Sequence, residues 1–217
     1  MAAPLCNVHP LFDLKNRNFI VTGGGQGIGF GVVRAIAEYG GNIAVLDIRD
    51  QPIDEYDSLA TEFGVKTTYI KTDVSNEESL TSSFTKAPDF LGSVHGAFTS
   101  AGIAIDKPFV EQTWAEAQRI QDINDFDRSI GVELASHGIR VNSISPGFIA
   151  SEQTRVVRDR KSPEDSAIMD IAPPLGRIGN FNDLTGAVIY LLSDASAYTT
   201  GADIPITGGL HIGRIKA

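Results

Sequence analysis

The stretch Thr22-Gly-Gly-Gly-Gln-Gly-Ile-Gly29 has the composition to cradle a phosphate. Glycine at Gly23, Gly27 and Gly29 permits backbone angles that other residues avoid and lets the chain approach a pyrophosphate, which then rests on the N-terminus of the following helix. Thr22, Gln26 and Ile28 complete this turn. Asp47, with Ile48 beside it, stands about 20 residues on, where a carboxylate accepts hydrogen bonds from the hydroxyls of an adenosine ribose. The same carboxylate repels a 2′-phosphate, and the turn contains no Lys or Arg to bind one. The cofactor expected from these residues is NAD; Arg49, two positions further, leaves NADP open.

The elements that must carry these residues are short β-branched runs alternating with helical patterns. The runs are 18–22, 42–47, 66–71 and 94–99, followed late in the chain by 140–144 and 202–206. Helix-length stretches such as 28–39, 77–86 and 184–192 lie between them. This alternation predicts βαβ units and a parallel sheet. Continuous hydrophobicity over Ile43–Leu46 predicts a strand covered on both faces. The long segment 147–179 reads as irregular and, because it follows a strand end, as a substrate lid within a single domain over 1–217.

Composition removes several functions. With 42% apolar and 21% charged residues the chain is an ordinary globular protein. A net charge of −9 without a dense Lys/Arg cluster argues against a nucleic-acid backbone or an anionic membrane as partner. Cys6 is the single cysteine, which excludes an internal disulfide and fits a reducing compartment; the cytoplasm is the expected location. No apolar run approaches the ~20 residues that span a bilayer. His9, His95, His137 and His211 show no ligand spacing, so no metal site is expected. Trp114 is expected to pack against the core.

With the glycine turn, Asp47 and the strand–helix alternation in place, the sequence resembles the short-chain dehydrogenase/reductase family from about residue 14 onward. Thr22-Gly-x-x-x-Gly27-x-Gly29 is similar to that family's coenzyme turn, and Asp73-Val74 to the pair that contacts adenine. Ser100-Ala101-Gly102 stands where the family has Asn-Ala-Gly, with Ser100 a departure. Asn124 occupies the place of an active-site asparagine. Ile139–Gly147 resembles the sixth strand and the loop flanking the nicotinamide, so Pro146, Gly147 and Ile149 are expected at the coenzyme. Ser151 keeps a hydroxyl for the carboxamide. The resemblance implies a Rossmann-type doubly wound α/β sheet with helices on both faces. It also implies NAD(P)-dependent hydride transfer with an alcohol or ketone, the style of residues 9–29 lying closest to members that handle polyols, sugars and secondary metabolites.

The resemblance also exposes an absence. Members of the family use a Ser after the fifth strand and a Tyr-x-x-x-Lys motif on the next helix, where Lys lowers a tyrosine pKa that is otherwise ~10. The residues four positions after Tyr39, Tyr56, Tyr69, Tyr190 and Tyr198 are Ile43, Ala60, Asp73, Asp194 and Ala202, so this chain contains no such motif. The alternatives to an oxidoreductase are a dinucleotide-binding protein without hydride transfer and a family member with non-redox chemistry. The resemblance runs to Asn124 and resumes at about Phe126; family spacing puts roughly 40–50 residues in between, enough for two half-helices and the fifth strand. Ile120, Ile123, Phe126, Ile130 and Leu134 nevertheless share one face of a helix, which predicts a fused crossover helix over about 114–136. The remaining strands must then close up or leave a gap. Loss of this segment removes parts of both helices that form the family's usual tetramer contact, and a homodimer through Leu184–Leu192 and the last strand is expected instead.

Overall fold

β-branched and aromatic residues, buried in the first two strands and half-buried or exposed in the next two, set the first four strands of the computed structural model, which describes residues 7–103, 113–116 and 135–213. These are β1 (Asn18–Thr22), β2 (Asn42–Asp47), β3 (Thr67–Lys71) and β4 (Gly96–Thr99). They form one parallel sheet in the order β3-β2-β1-β4. All five residues of β1 are buried, as a strand covered on both faces requires.

Side-chain alternation along the strands divides the core. Phe19, Val21, Ile43 and Val45 pack with α1 (Gly27–Glu38) and with Val188 and Ile189 of a C-terminal helix. Ile20, Ala44 and Leu46 pack on the other side with Ala87 and Leu91 of α3 (Glu77–Leu91), the short α2 (Leu59–Phe63) having preceded β3. Helices therefore cover both faces, the Rossmann-type doubly wound arrangement. Asn18 is buried at the start of β1, yet it is satisfied: its Nδ2 donates to the Leu91 and Ser93 carbonyls, each at 2.8 Å, and its Oδ1 accepts from Asn42.

The later strands, β5 (Ser143–Pro146) and β6 (Asp203–Ile206), pair in parallel as a separate two-stranded sheet. Among the described residues no ladder joins β4 to β5. Of the two outcomes expected for a sheet without its fifth strand, the described residues show the gap. The two sheets share α6 (Phe181–Leu192), which packs on α1 and also touches β5 and β6. Arg140, just before β5, donates to the Leu191 carbonyl at 2.9 Å and to Ser196 Oγ at 2.7 Å. Arg17, before β1, pairs with Asp194 just beyond α6.

Several sequence expectations need correction, among them the strand read at 94–99, which begins at Gly96, and the helix read at 184–192, which begins at Phe181. The strand read at 140–144 begins at Ser143, because Val141 and Asn142 bond the 199–202 turn instead: Gly201 N–H donates to the Val141 carbonyl and Asn142 Nδ2 to that of Thr199. The helix read at 77–86 continues to Leu91, carrying Pro88 within it. The segment 147–179 is not irregular; it holds α4 (Glu152–Asp159) and α5 (Pro163–Ile171). Ser151 and Ser162 cap these helices by accepting from Thr154 N–H and Asp165 N–H, and Pro163 opens α5 at a position where its missing donor is not needed. Trp114, expected in the core, is 84% exposed. Trp114–Glu116 is helical, started by a Thr113/Glu116 capping box in which Thr113 N–H donates to Glu116 Oε2 at 2.8 Å. Most of the expected 114–136 crossover helix lies outside the described residues.

Candidate coenzyme site

The glycine turn leaves the C-terminal end of β1 and enters α1, with β2 and β4 on either side. Gly23 N–H donates to the Leu46 carbonyl at 2.7 Å, tying the turn to β2. On the other flank the Thr22 carbonyl accepts from Ser100 N–H at 3.1 Å and from Ser100 Oγ at 2.7 Å. Ala101 N–H points to Thr22 Oγ1 at 3.4 Å. Gly23 has φ 68°, and a Cβ there would lie 2.6 Å from Ala101 N. A side chain at Gly23 would separate β1 from the loop after β4.

Helix α1 begins at Gly27 with Gln26 as an extended N-cap whose side chain makes no capping bond. The first N–H groups of α1 are therefore not spent on a side-chain cap, and with the helix dipole they suit an anion. A dinucleotide pyrophosphate fits this cradle, with Gly23 to Gly29 as its floor.

Asp47 closes β2 beside the turn and is 6% exposed. Its Oδ2 accepts from Gly25 N–H at 2.8 Å and its Oδ1 from Arg49 N–H at 3.0 Å. The carboxylate is thus held against the turn and retains lone pairs for a ribose hydroxyl. Ile48, next in the chain, is exposed.

The remaining expected residues fall into two groups. Asp73 and Val74 follow β3 and are half-buried; Asp73 Oδ1 accepts from Ser75 N–H and Ser75 Oγ. Ser100, Ala101 and Gly102 follow β4 directly. Thr22, Asp47, Asp73 and Ser100 therefore share the C-terminal edge of the four-stranded sheet, the edge where ligands bind in open α/β folds. Pro146, Gly147, Ile149 and Ser151 sit instead at the end of β5, on the separate sheet. Gly147 N–H donates to the Ile206 carbonyl, Ile149 is buried and bridges Gly179, and the Ser151 hydroxyl caps α4 while pairing with Thr154. Asn124 lies outside the described residues.

Two further participants stand at this corner: Arg49, expected only as a candidate phosphate ligand, and Tyr69, which escaped the sequence reading. Arg49 reaches back across the turn, donating to Gln26 Oε1 at 2.7 Å. Tyr69 on β3 donates its hydroxyl to the Arg49 carbonyl at 3.1 Å. No spacing pattern joins residue 69 to the turn; β2–β3 register alone brings them together. Among the described residues no cluster of three His, Cys, Asp or Glu could hold a metal ion, and no helix is long and apolar enough to cross a membrane.

A family model described as enoyl-(acyl carrier protein) reductase matches residues 23–126 and 124–211, two stretches that meet at 124–126. The chain belongs to the short-chain dehydrogenase/reductase family. L-rhamnose 1-dehydrogenase (NADP(+)) of Thermoplasma acidophilum is 27% identical, covering 93% of this chain and 99% of its own. Sorbose reductase of Candida albicans is 28% identical over 94% of this chain and 90% of its own. The crystal structure of a short-chain type dehydrogenase/reductase from Mycobacterium marinum superposes with a TM-score of 0.82 at 29% identity, covering 94% of this chain and 99% of that one. The rhamnose dehydrogenase alignment runs over 253 positions, whereas 93% of 217 residues is about 202, so about 51 positions hold no residue of this chain. Such family members are NAD(P)-dependent oxidoreductases acting on CH–OH groups.

Proposed function

We propose that this protein exchanges a hydride between NAD(H) and the CH–OH or carbonyl group of a polyhydroxylated substrate, a sugar or polyol. The observation that carries the coenzyme assignment is the Gly23–Gly29 turn, seated against Ser100 on one side and Asp47 on the other. Asp47 supports NAD over NADP, since a buried carboxylate beside the ribose repels a 2′-phosphate. The names of the rhamnose dehydrogenase and sorbose reductase relatives support the substrate class. Helices α4 and α5, after the Pro146–Ser151 loop, are placed in the chain to serve as the lid over that substrate.

Bound nicotinamide supplies the hydride; the chain's own residues bind and orient the dinucleotide. A proton donor for the substrate oxygen is a separate requirement, and the 217-residue chain has no Tyr-x-x-x-Lys to meet it. We assign that role to a central segment between about residues 124 and 126 that this chain lacks. The two-part family match and the gap between β4 and β5 both support this reading. The 217-residue chain then binds NADH with little or no turnover, as a homodimer. Leu184, Val188 and Ile189 are buried within the chain, so such a dimer uses the outer side of α6 and the β6 region.

The test is a fluorescence titration of the recombinant chain with NADH, followed by turnover assays on aldoses, ketoses and polyols. Binding without turnover is expected. Absence of NADH binding overturns the coenzyme assignment, and robust turnover overturns the role given to the central segment. Protein from the natural source that oxidises no sugar or polyol overturns the substrate class.

A further inference from the structure

Tyr69 belongs to neither the glycine turn nor the Asp47 corner, yet it touches both. Its hydroxyl donates to the Arg49 carbonyl at 3.1 Å. The same oxygen lies 3.1 Å from where a Cβ on Gly25 would stand, so it sits directly over the turn. Arg49 passes the connection on in two directions, through its N–H to Asp47 Oδ1 and through its guanidinium to Gln26 Oε1. Asp47 Oδ2 returns it to Gly25 N–H, closing a circuit around the adenosine end of the site.

The Tyr69 ring has a fixed seat. It meets the buried Tyr56 ring edge to face, with centroids 5.9 Å apart at 72°. Burial first, and the Asp47 charge second, push the Tyr69 hydroxyl up to about 12, so it stays a donor at any working pH. Nearby, Lys71 and Asp50 neutralise one another at 2.6 Å. Asp47 and Arg49 are then the opposed charges an adenosine ribose would meet at this corner.

We propose that Tyr69 is a positioning residue for coenzyme discrimination. By holding the Arg49 main chain, it keeps the Asp47 carboxylate presented to the ribose and the Arg49 guanidinium turned onto Gln26 rather than outward to a 2′-phosphate. This rests on the reading that the glycine turn takes an NAD(P) dinucleotide. Released from Tyr69, residues 48–50 shift, Arg49 turns to the phosphate, and preference for NADH declines.

The experiment measures equilibrium dissociation constants for NADH and for NADPH on the full chain, on Tyr69→Phe, on Arg49→Ala and on the double variant. Tyr69→Phe keeps the ring and its contact with Tyr56, and melting temperatures verify that each variant is folded. The expected result is a fall in the NADH-over-NADPH preference of about threefold or more in Tyr69→Phe, the scale of one lost neutral hydrogen bond. In the Arg49→Ala background, where Tyr69 still reaches Asp47 through the residue-49 main chain, the same change produces a smaller fall, because the guanidinium route is gone. An unchanged preference overturns the proposal, whether both constants hold or weaken together as a merely structural role requires. So does an equal fall in the Arg49→Ala background. Failure of the unsubstituted chain to bind either dinucleotide is seen before any variant is made; it overturns the coenzyme reading itself and this inference with it.

Discussion

Gly29 presses its Cα against the carbonyl of Gly23, so closely that a Cβ on Gly29 would stand 2.1 Å from that oxygen. Ser100 Oγ lies 2.6 Å from the same point. The first turn of α1, the end of β1 and the loop after β4 therefore meet at one position without room for a methyl group. Gly29→Ala must push the turn away from β4, costing about 1–3 kcal/mol by overpacking. Urea unfolding should register that loss, and NADH titration should show binding weakened at least tenfold as the phosphate cradle opens.

Asp47 both faces the expected ribose and anchors Gly25 N–H at 2.8 Å. Asp47→Ala removes the charge that opposes a 2′-phosphate. Discrimination against NADPH should relax, read as the ratio of dissociation constants, while NADH binding also weakens because the turn loses an anchor. An unchanged ratio would remove Asp47 from coenzyme choice.

The start of α6 carries a pH-dependent contribution. Asn180 and Asp183 form a capping box, and Arg177 grips Asp183 with both nitrogens, at 2.7 and 2.8 Å. The Arg177 hydrogen bond, followed by the Asn180 N–H, lowers the Asp183 carboxyl from its ordinary 3.8 to about 2. A carboxyl depressed on folding stabilises the protein above its unfolded pKa, and that stability is lost as pH falls through the folded one. Asp183→Ala should therefore cost about 1 kcal/mol at pH 7, typical of a lost cap. Urea midpoints of the two proteins should converge as pH falls from about 4 toward 2.

Arg140 holds the second sheet to the end of α6. Its guanidinium serves Ser196 Oγ and the carbonyls of Leu191, Ser193 and Thr199. Burial lowers its pKa, and as a guanidinium it makes charge-assisted bonds to these acceptors. Arg140→Leu leaves those acceptors without their cation and should destabilise the chain by about 2–3 kcal/mol. If urea unfolding shows less than half of this, the β5–β6 pair is held by α6 packing alone.

The intact mass of protein purified from its natural source tests the central segment directly. A mass above 23.2 kDa, by that of the roughly 51 unmatched positions, is expected. A mass equal to 23.2 kDa would make the gapped sheet the native architecture and place the protein's role in dinucleotide binding.

Much of the first sheet was legible in the sequence. β1 and β2 occupy the spans read from their β-branched runs, because strands buried on both faces must be apolar throughout. Helices α4 and α5 were not legible from periodicity. The sequence of α4, Glu-Gln-Thr-Arg-Val-Val-Arg-Asp, is largely polar and is supported by Arg155 bridging Glu152 and Asp159. The signals that would have revealed the pair were their serine caps and Pro163. Trp114 misled because an aromatic residue is a burial prior, whereas its position is set by what happens to pack above it.

The sequence by itself determined the phosphate turn, the acid at the end of β2 and the absence of a Tyr-x-x-x-Lys, since each depends on residue type and spacing along the chain. Tertiary structure decided that Tyr69 reaches Gly25 and Arg49, because strand register brings side chains together across a distance no local pattern encodes. It also decided that, among the described residues, the β5–β6 pair stays apart from the four-stranded sheet. Joining the two would slide β5 and β6 sideways by about 4.8 Å or more, the spacing of paired strands. That movement would drag Arg140 and α6 away from the α1 core, where Val188 and Ile189 are already buried.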